Sequence, residues 1–313
     1  LPGSQPFVGV LAMRALALAG VALLAWAVPR LAERLGQDPA DAAVLVVANP
    51  LVLVHLVAGA HNEAMLAGFL AAGFAAAAGG RRYLGVALSS IGGVVKLPGL
   101  VGAVVLGWGA DEGTPVRTRL THTAVAGAVC IATIASCSLV TGLGFGWVGS
   151  SVAPGLVISW AAPTNWLGSL IGLDLAQDIG LAVAGVLAAW WTWRAGPADA
   201  AATGKILVAL AVLGPALHPW YLLWGFPLLA AAAAGRPNRL LVAASIVGVF
   251  AGHLGSGPFI ERVGDEPVAL LVGAVVVLVA MAATSRDVRA VVVEGSEGRG
   301  EGRNPAATPS PAP

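Results

Sequence analysis

Long apolar runs dominate this chain and limit what it can fold into. They are Phe7 to Val28, Ala42 to Gly59, Ala64 to Ala78, Leu84 to Trp108, Thr121 to Thr141, Leu181 to Trp193, Ile206 to Leu229, Leu240 to Gly252 and Val268 to Ala283. A helix needs about 20 apolar residues to cross a bilayer. Charged residues make up only 11% of the chain, against roughly 25% in soluble domains. The sequence predicts an all-α, multi-pass integral membrane protein, and a net charge of +1 gives it no basic face for nucleic acid.

The two ends of the chain differ from its middle. Arg14 lies inside the first apolar run with no basic stretch ahead of it, which indicates a transmembrane helix rather than a signal peptide. The chain begins with Leu1, so we expect an N-terminal part to be missing. Residues 285–313 are rich in Gly, Glu, Arg and Pro without an apolar period, and we predict a disordered cytoplasmic tail. Residues 1–284 then form one transmembrane region.

Two apolar runs are interrupted near the middle, one by Lys96-Leu97-Pro98 and the other by His218-Pro219-Trp220-Tyr221. Each half has about a dozen residues and reaches ~18 Å, little more than half of a ~30 Å hydrocarbon core. Each run is therefore either one kinked span or a hairpin that dips into the membrane and returns.

The distribution of cations favours the hairpins, because loops on the inner side of a membrane are rich in Lys and Arg. With two hairpins, the inner side collects Arg30, Arg34, Arg81, Arg82, Arg117, Arg119, Arg194, Lys205, Arg236, Arg239, Arg286 and Arg289. Single spans would move several of these cations outside. We predict about seven full spans plus two half-membrane hairpins, in a cell membrane protein whose site faces outward. The loop from Gly142 to Gly180 then lies outside, where we expect it to roof a cavity.

The short connection His61-Asn62-Glu63 falls on the same outer side, at the start of a helix. It offers a general base, a hydrogen-bond donor and a metal ligand, although further ligands are not identified and a divalent metal stays an open question. The alternative is that Glu63 only caps the helix. Asn49-Pro50 predicts a kink. We expect His55 to be an interior histidine whose hydrogen bonds are satisfied.

Lys96 and His218 lie at the two hairpin tips, and each is followed by a proline. Broken helices whose tips point into a cavity bind anionic groups, so Lys96 and a protonated His218 are candidates for holding a phosphate. Arg14 is a third candidate, with a snorkelling arginine as the alternative. Trp220 and Tyr221 provide either a surface for a sugar ring or part of an aromatic belt.

Three motifs taken together resemble the actinobacterial polyprenol-phosphomannose-dependent α-1,6-mannosyltransferases. They are Asn49-Pro50 through His61-Asn62-Glu63-Ala64, Val95-Lys96-Leu97-Pro98, and His218-Pro219-Trp220-Tyr221-Leu222-Leu223-Trp224. The resemblance runs from about Phe7 to Ala283 and includes the basic segment from Pro29 to Ala40.

The resemblance implies an inverting glycosyltransferase of the C type. Such an enzyme takes mannose from a polyprenyl-phosphate-linked donor on the outer side of the membrane and passes it to the α-1,6-mannan core of a lipomannan-type glycolipid. Members of this class place an essential acidic residue in a first outer loop, which we expect to lie upstream of this chain. Within the chain, Glu63 and His61 are the candidate catalytic residues, and Asp174 and Asp178 are the next candidates for the carboxylate. Arg14, Lys96 and His218 would bind the donor phosphate, and Asn62, Trp220 and Tyr221 the sugar.

Two other classes stay open. Two broken hairpins with polar tips also describe a transporter or lipid flippase, which predicts pseudo-symmetric halves. No repeated sequence flanks the two tips. A non-catalytic membrane subunit is the third alternative.

Overall fold

The computed structural model describes residues 6–142, 144–145, 162–233 and 236–254, and within these ranges the regular elements are helices. The α-helices are α1 (Pro6–Arg34), α2 (Pro39–Val47), α3 (Glu63–Ala78), α4 (Arg82–Val95), α5 (Leu100–Trp108), α6 (Val116–Thr141), α7 (Pro163–Ile171), α8 (Leu173–Arg194), α9 (Ala200–Leu213), α10 (Phe226–Ala232) and α11 (Arg236–Leu254). A π-helix covers Val52–Ala58, and 3₁₀ helices cover Leu97–Gly99 and Pro219–Trp224.

Three of the described helices, α1, α6 and α8, are long and apolar enough to cross a membrane. Helix α2 and the π-helix give a fourth candidate if they form one span, which is bent by 62°. The predicted helical membrane class is confirmed, but the described residues do not confirm seven full spans. The run from Val268 to Ala283 and the tail at 285–313 lie outside the described residues.

The bend between α2 and the π-helix confirms the kink predicted at Asn49-Pro50. The Asn49 amide donates to the Leu45 carbonyl oxygen at 3.1 Å, and its side-chain oxygen accepts from the Leu51 N–H at 2.9 Å. The amide also donates to the Ser245 hydroxyl in α11 at 2.7 Å. One side chain therefore satisfies backbone groups on both sides of the break and fastens the bend to a distant helix.

Helix α1 extends beyond the apolar run that predicted it. It continues through Pro29 to Arg34, so the first part of the basic segment from Pro29 to Ala40 is helical rather than a loop. Leu31 and Ala32 are completely buried in this last turn. Their packing offsets the backbone hydrogen bond that Pro29 cannot make.

Helix α3 is the centre of the bundle and is buried on nearly all sides. It runs parallel to α1, because Gly20 lies against Ala64 while Arg34 donates to the Ala75 carbonyl oxygen. It runs antiparallel to α4, because Gly73 lies against Gly85 while Gly92 lies against Leu66. Small residues at these crossings let the backbones approach closely, as they do in membrane bundles.

Both interrupted runs turn back on themselves. In the first, Ser89 of α4 lies against Gly102 of α5, and Gly92 lies against Gly99 nearer the turn, which is an antiparallel register. In the second, Gly204 of α9 lies against Leu229 of α10, and Val208 lies against Gly225. A kinked single span would hold its two halves end to end, so lateral contacts of this kind agree with hairpins.

The predicted loop from Gly142 to Gly180 contains helix α7 and, from Leu173 onward, the first turns of helix α8. The Thr164 hydroxyl and the Asn165 amide donate to the carbonyl oxygens of Gly214 and Pro215, each at 3.1 Å. This fastens α7 to the turn that leads into His218. Trp147 and Trp160 of the same loop lie outside the described residues, and the predicted roof stays a prediction.

The contact between α1 and α3 leaves no room for a larger residue at position 20. A Cβ at Gly20 would overlap the Ala64 backbone, so we expect Gly20→Ala to lower the free energy of unfolding by about 1–3 kcal/mol. Gly9→Ala in the same helix, where a Cβ meets open space, should leave stability unchanged or raise it by up to ~1 kcal/mol. Thermal unfolding in detergent measures both variants, and equal melting temperatures would contradict the close approach.

Candidate functional site

The antiparallel pairing of α3 and α4 places the start of one helix beside the end of the other. His61, Asn62 and Glu63 lead into α3, and Lys96 follows the last residue of α4. The Lys96 backbone is extended (φ −159°, ψ 131°), which ends the helix and turns the chain toward Pro98. The first motif and the first hairpin tip therefore form one site.

Lys96 and Glu63 form an ion pair at this site, with the ammonium donating to Oε1 of the carboxylate. The Glu63 side chain is only 1% exposed and that of Lys96 26%. The Lys96 Nζ also lies 4.2 Å from the centre of the Tyr221 ring and 5.4 Å from that of Trp224. A carboxylate and two aromatic rings therefore surround the ammonium, which is the usual way to hold a buried cation.

Six rings from the π-helix, the turn before α3 and the second hairpin pack together beside this ion pair. We call them the ring cluster: His55, His61, His218, Trp220, Tyr221 and Trp224. His61 and His218 both stack on the Trp220 indole, with centroid distances of 4.4 and 4.6 Å. Tyr221 stacks on Trp224 at 4.3 Å and meets His218 edge-on at 5.1 Å. The second hairpin tip therefore joins the first.

His61 and His218, the two partly exposed histidines of the ring cluster, favour their neutral forms. Burial lowers the pKa of His61, and the positive charge of Lys96 adds to this effect while Glu63 opposes it. Burial and then Lys96 lower the pKa of His218 in the same way. Both residues lie in turns outside the candidate spans. The same effects oppose a positive charge on His218, whose role in binding a phosphate stays a prediction.

Two buried polar atoms of the site have no hydrogen-bond partner among the described residues: Oε2 of Glu63 and Nε1 of Trp224. The Nδ1 of His61 lies 3.8 Å from Oε2, beyond hydrogen-bond distance. Buried polar atoms normally have partners, so these two atoms indicate where a bound molecule can donate and accept.

The structure brings together most of the predicted site residues. Pairwise contacts connect Glu63, His61, Lys96, His218, Trp220 and Tyr221 into one group. Asn62 lies in the turn between His61 and Glu63, with an exposed side chain. Asp174 and Asp178 are exposed on the first turns of α8.

Arg14 is not in contact with this group. Gly20 is level with Ala64, so Arg14 lies about 9 Å further along α1, at ~1.5 Å per residue, where it is exposed. Its role in phosphate binding stays a prediction.

Sequence analysis did not place His55 in the ring cluster. His55 was expected to be a satisfied interior histidine, and it is buried with a partner of its own. Its ring also lies 5.1 Å from Trp220, because the π-helix carries it to the site. Trp224, which the sequence offered with Trp220 and Tyr221 as an aromatic belt or a sugar-binding surface, follows Tyr221 by three residues, which is one 3₁₀ turn.

The described residues contain no group of three or more His, Cys, Asp or Glu side chains that could hold a metal ion. His61 and Glu63 would supply two ligands at most.

Comparison with known proteins identifies the family. The family profile described as "Alpha-(1->6)-mannopyranosyltransferase, N-terminal domain" matches residues 1–111, and "MptB C-terminal domain" matches residues 155–283. No solved structure matches the chain.

Curated relatives agree with the profiles. A probable alpha-(1->6)-mannopyranosyltransferase of Mycolicibacterium smegmatis is 31% identical over 91% of this chain and 60% of its own length. Alpha-(1->6)-mannopyranosyltransferase A of Mycobacterium tuberculosis is 32% identical over 77% of this chain and 51% of its own. Alpha-(1->6)-mannopyranosyltransferase B of Corynebacterium glutamicum is 29% identical over 76% and 45%.

The fold and these matches define a helical membrane protein related to glycosyltransferases. The chain belongs to the alpha-(1->6)-mannopyranosyltransferase family, which confirms the resemblance found in its motifs. It spans about half the length of the curated relatives it matches.

The ion pair makes a direct prediction about stability. Lys96→Met leaves the buried Glu63 carboxylate without its counter-charge, so we expect the free energy of unfolding to fall by about 3 kcal/mol. Adding Glu63→Gln should recover most of this loss, because the remaining groups are neutral. Lys205→Met, at an exposed position in α9, is the control and should be nearly neutral. Equal losses in the single and double variants would show that the pair is not the cause.

A second prediction concerns pH. Because the pKa of His218 is lowered in the folded protein, the unfolded chain takes up a proton first as the pH falls below the ordinary value of 6.5. The contribution to stability is therefore present above pH 6.5 and is lost toward pH 5.5. Melting temperatures measured from pH 7.5 to 5.5 should fall less steeply in His218→Gln than in the unchanged protein. A steeper fall in the variant would contradict the assignment.

Proposed function

We propose that this chain forms the membrane-embedded part of a mannosyltransferase. It would take mannose from a polyprenyl-phosphate-linked donor and add it to an α-1,6-mannan glycolipid. One observation carries the proposal: in a chain of this family, a buried carboxylate, a cation and several aromatic rings lie together in one site. The relatives are alpha-(1->6)-mannopyranosyltransferases by name, which supports mannosyl transfer to a 6-position.

Lys96 is the proposed phosphate-binding group. Breaking the bond between mannose and phosphate increases negative charge on the leaving phosphate, and a cation in a site with little water stabilises that charge. Neutral His218 can add a ring N–H as a hydrogen-bond donor, and Arg14 is a further cation nearer the end of α1. The polyprenyl tail would lie among the apolar side chains between the hairpins.

Glu63 and His61 are the proposed base. The acceptor hydroxyl attacks the anomeric carbon of mannose, the bond from that carbon to the phosphate oxygen breaks, and the phosphate leaves with the polyprenyl chain. The hydroxyl proton passes to the Glu63 carboxylate, directly or through His61. Attack on the face opposite the phosphate inverts the configuration. Asn62 and Tyr221 are placed to hydrogen-bond the sugar, whereas Trp220 already stacks on two imidazole rings.

An outward-facing site is supported by where the arginines lie. Arg34 contacts the far end of α3 near Gly79, and Arg82 contacts His122 at the start of α6. Helix α3 has 16 residues, so these cations lie roughly 24 Å along it from Glu63. The positive-inside bias then assigns the arginine end to the cytoplasm and the site to the opposite side.

A transfer assay tests the proposal. Membranes containing this chain, alone and as part of the longest reading frame that includes it, are given polyprenyl-phosphomannose and a short α-1,6-mannoside, and products are weighed by mass spectrometry. We expect elongation of the acceptor, and loss of at least ~100-fold in kcat for Glu63→Gln. Glu33→Gln, at an exposed position in α1, should keep full activity.

Two results would contradict the proposal. Failure of both forms to transfer mannose from any lipid-linked donor would leave lipid transport as the function to test. Full activity of Glu63→Gln would remove Glu63 from catalysis and assign the base elsewhere in the complete protein.

A further inference from the structure

We infer that Glu63 and the donor phosphate compete for Lys96, so that donor binding releases the Glu63 carboxylate for its role toward the acceptor. This inference rests on the proposed function and concerns the order of events at the same site. In the unliganded site the two groups assigned to base and phosphate binding neutralise each other.

The surroundings of Lys96 leave few ways to bind a second anion. Its ammonium donates to Glu63, and the rings of Tyr221 and Trp224 cover two further sides at 4.2 and 5.4 Å. A phosphate that reached Lys96 without displacing Glu63 would place a second anion beside a carboxylate that is only 1% exposed. Like charges at such short range repel strongly where little water screens them.

Among the described residues, Lys96 is the only Lys or Arg side chain that pairs with Glu63. His61 and His218 are the titratable groups that face the pair, and burial together with Lys96 favours their neutral forms. Arg14 is about 9 Å away along α1, at ~1.5 Å per residue. The phosphate and Glu63 therefore compete for the same cation.

The exchange has a chemical consequence. Without a donor, Lys96 is bonded to Oε1 of the Glu63 carboxylate, so this oxygen is not available to an acceptor hydroxyl. Once the phosphate has taken Lys96, Oε1 becomes available in addition to Oε2, which already has no hydrogen-bond partner among the described residues. Glu63 therefore becomes available as the base only after the donor has bound.

Binding measurements separate this inference from the transfer reaction. A short-chain prenyl phosphate is titrated into the detergent-solubilised chain, with the corresponding neutral prenol as the control ligand. If Glu63 competes, Glu63→Gln should bind the phosphate roughly tenfold more tightly, the effect of one charge-assisted hydrogen bond. Glu63→Asp keeps the charge and should stay within about threefold of the unchanged protein. Binding of the prenol should not change.

A double-mutant cycle locates the effect. Glu63→Gln should no longer tighten binding when Lys96 is already replaced by Gln, because the shared cation is gone. Melting temperatures confirm that each variant is folded, and Glu63→Met, of similar volume, replaces Glu63→Gln if the latter is not.

The outcomes distinguish the two proposals. Unchanged or weaker phosphate binding by Glu63→Gln, in a protein that still transfers mannose, overturns the competition but not the function. If the unchanged protein binds the phosphate no better than the prenol, the assignment of Lys96 to the donor phosphate fails as well.

Discussion

A buried carboxylate at the start of an apolar helix is the constraint on which this structure depends. Glu63 is the only charged residue of α3, and it can be buried there only because Lys96 meets it. That meeting requires α4 to run antiparallel and very close to α3, which the glycines at their crossing allow. The close packing of these helices and the charge pair at their ends therefore support each other.

The ring cluster extends the same constraint to the second hairpin. Tyr221 and Trp224 face the Lys96 ammonium, while Trp220 carries the two imidazoles. The 3₁₀ conformation of Pro219–Trp224 makes this arrangement possible, because it turns rings spaced three residues apart to the same side. The site is thus assembled from two short helical breaks, neither of which could form it alone.

Much of the candidate site was predictable because its residues interrupt apolar runs. Lys96 and His218 stand out in a membrane sequence, since each places a polar group where the chain would otherwise continue a span. The position of Arg14 along α1 relative to the site was not predictable, because it depends on which turn of α1 packs against Ala64. The same applies to His55, whose position depends on a π-helix and on the hydrogen bond between Asn49 and Ser245.

The site draws on both segments that the family profiles recognise. Glu63 and Lys96 belong to residues 1–111, whereas His218 and Tyr221 belong to residues 155–283. The hydrogen bond from Asn49 to Ser245 joins the same two segments. The halves therefore cannot diverge independently: a chimera made by recombining two homologues between them would have to match an amide, a hydroxyl and a set of ring contacts across the junction. Natural variation in one half should be accompanied by compensating change in the other.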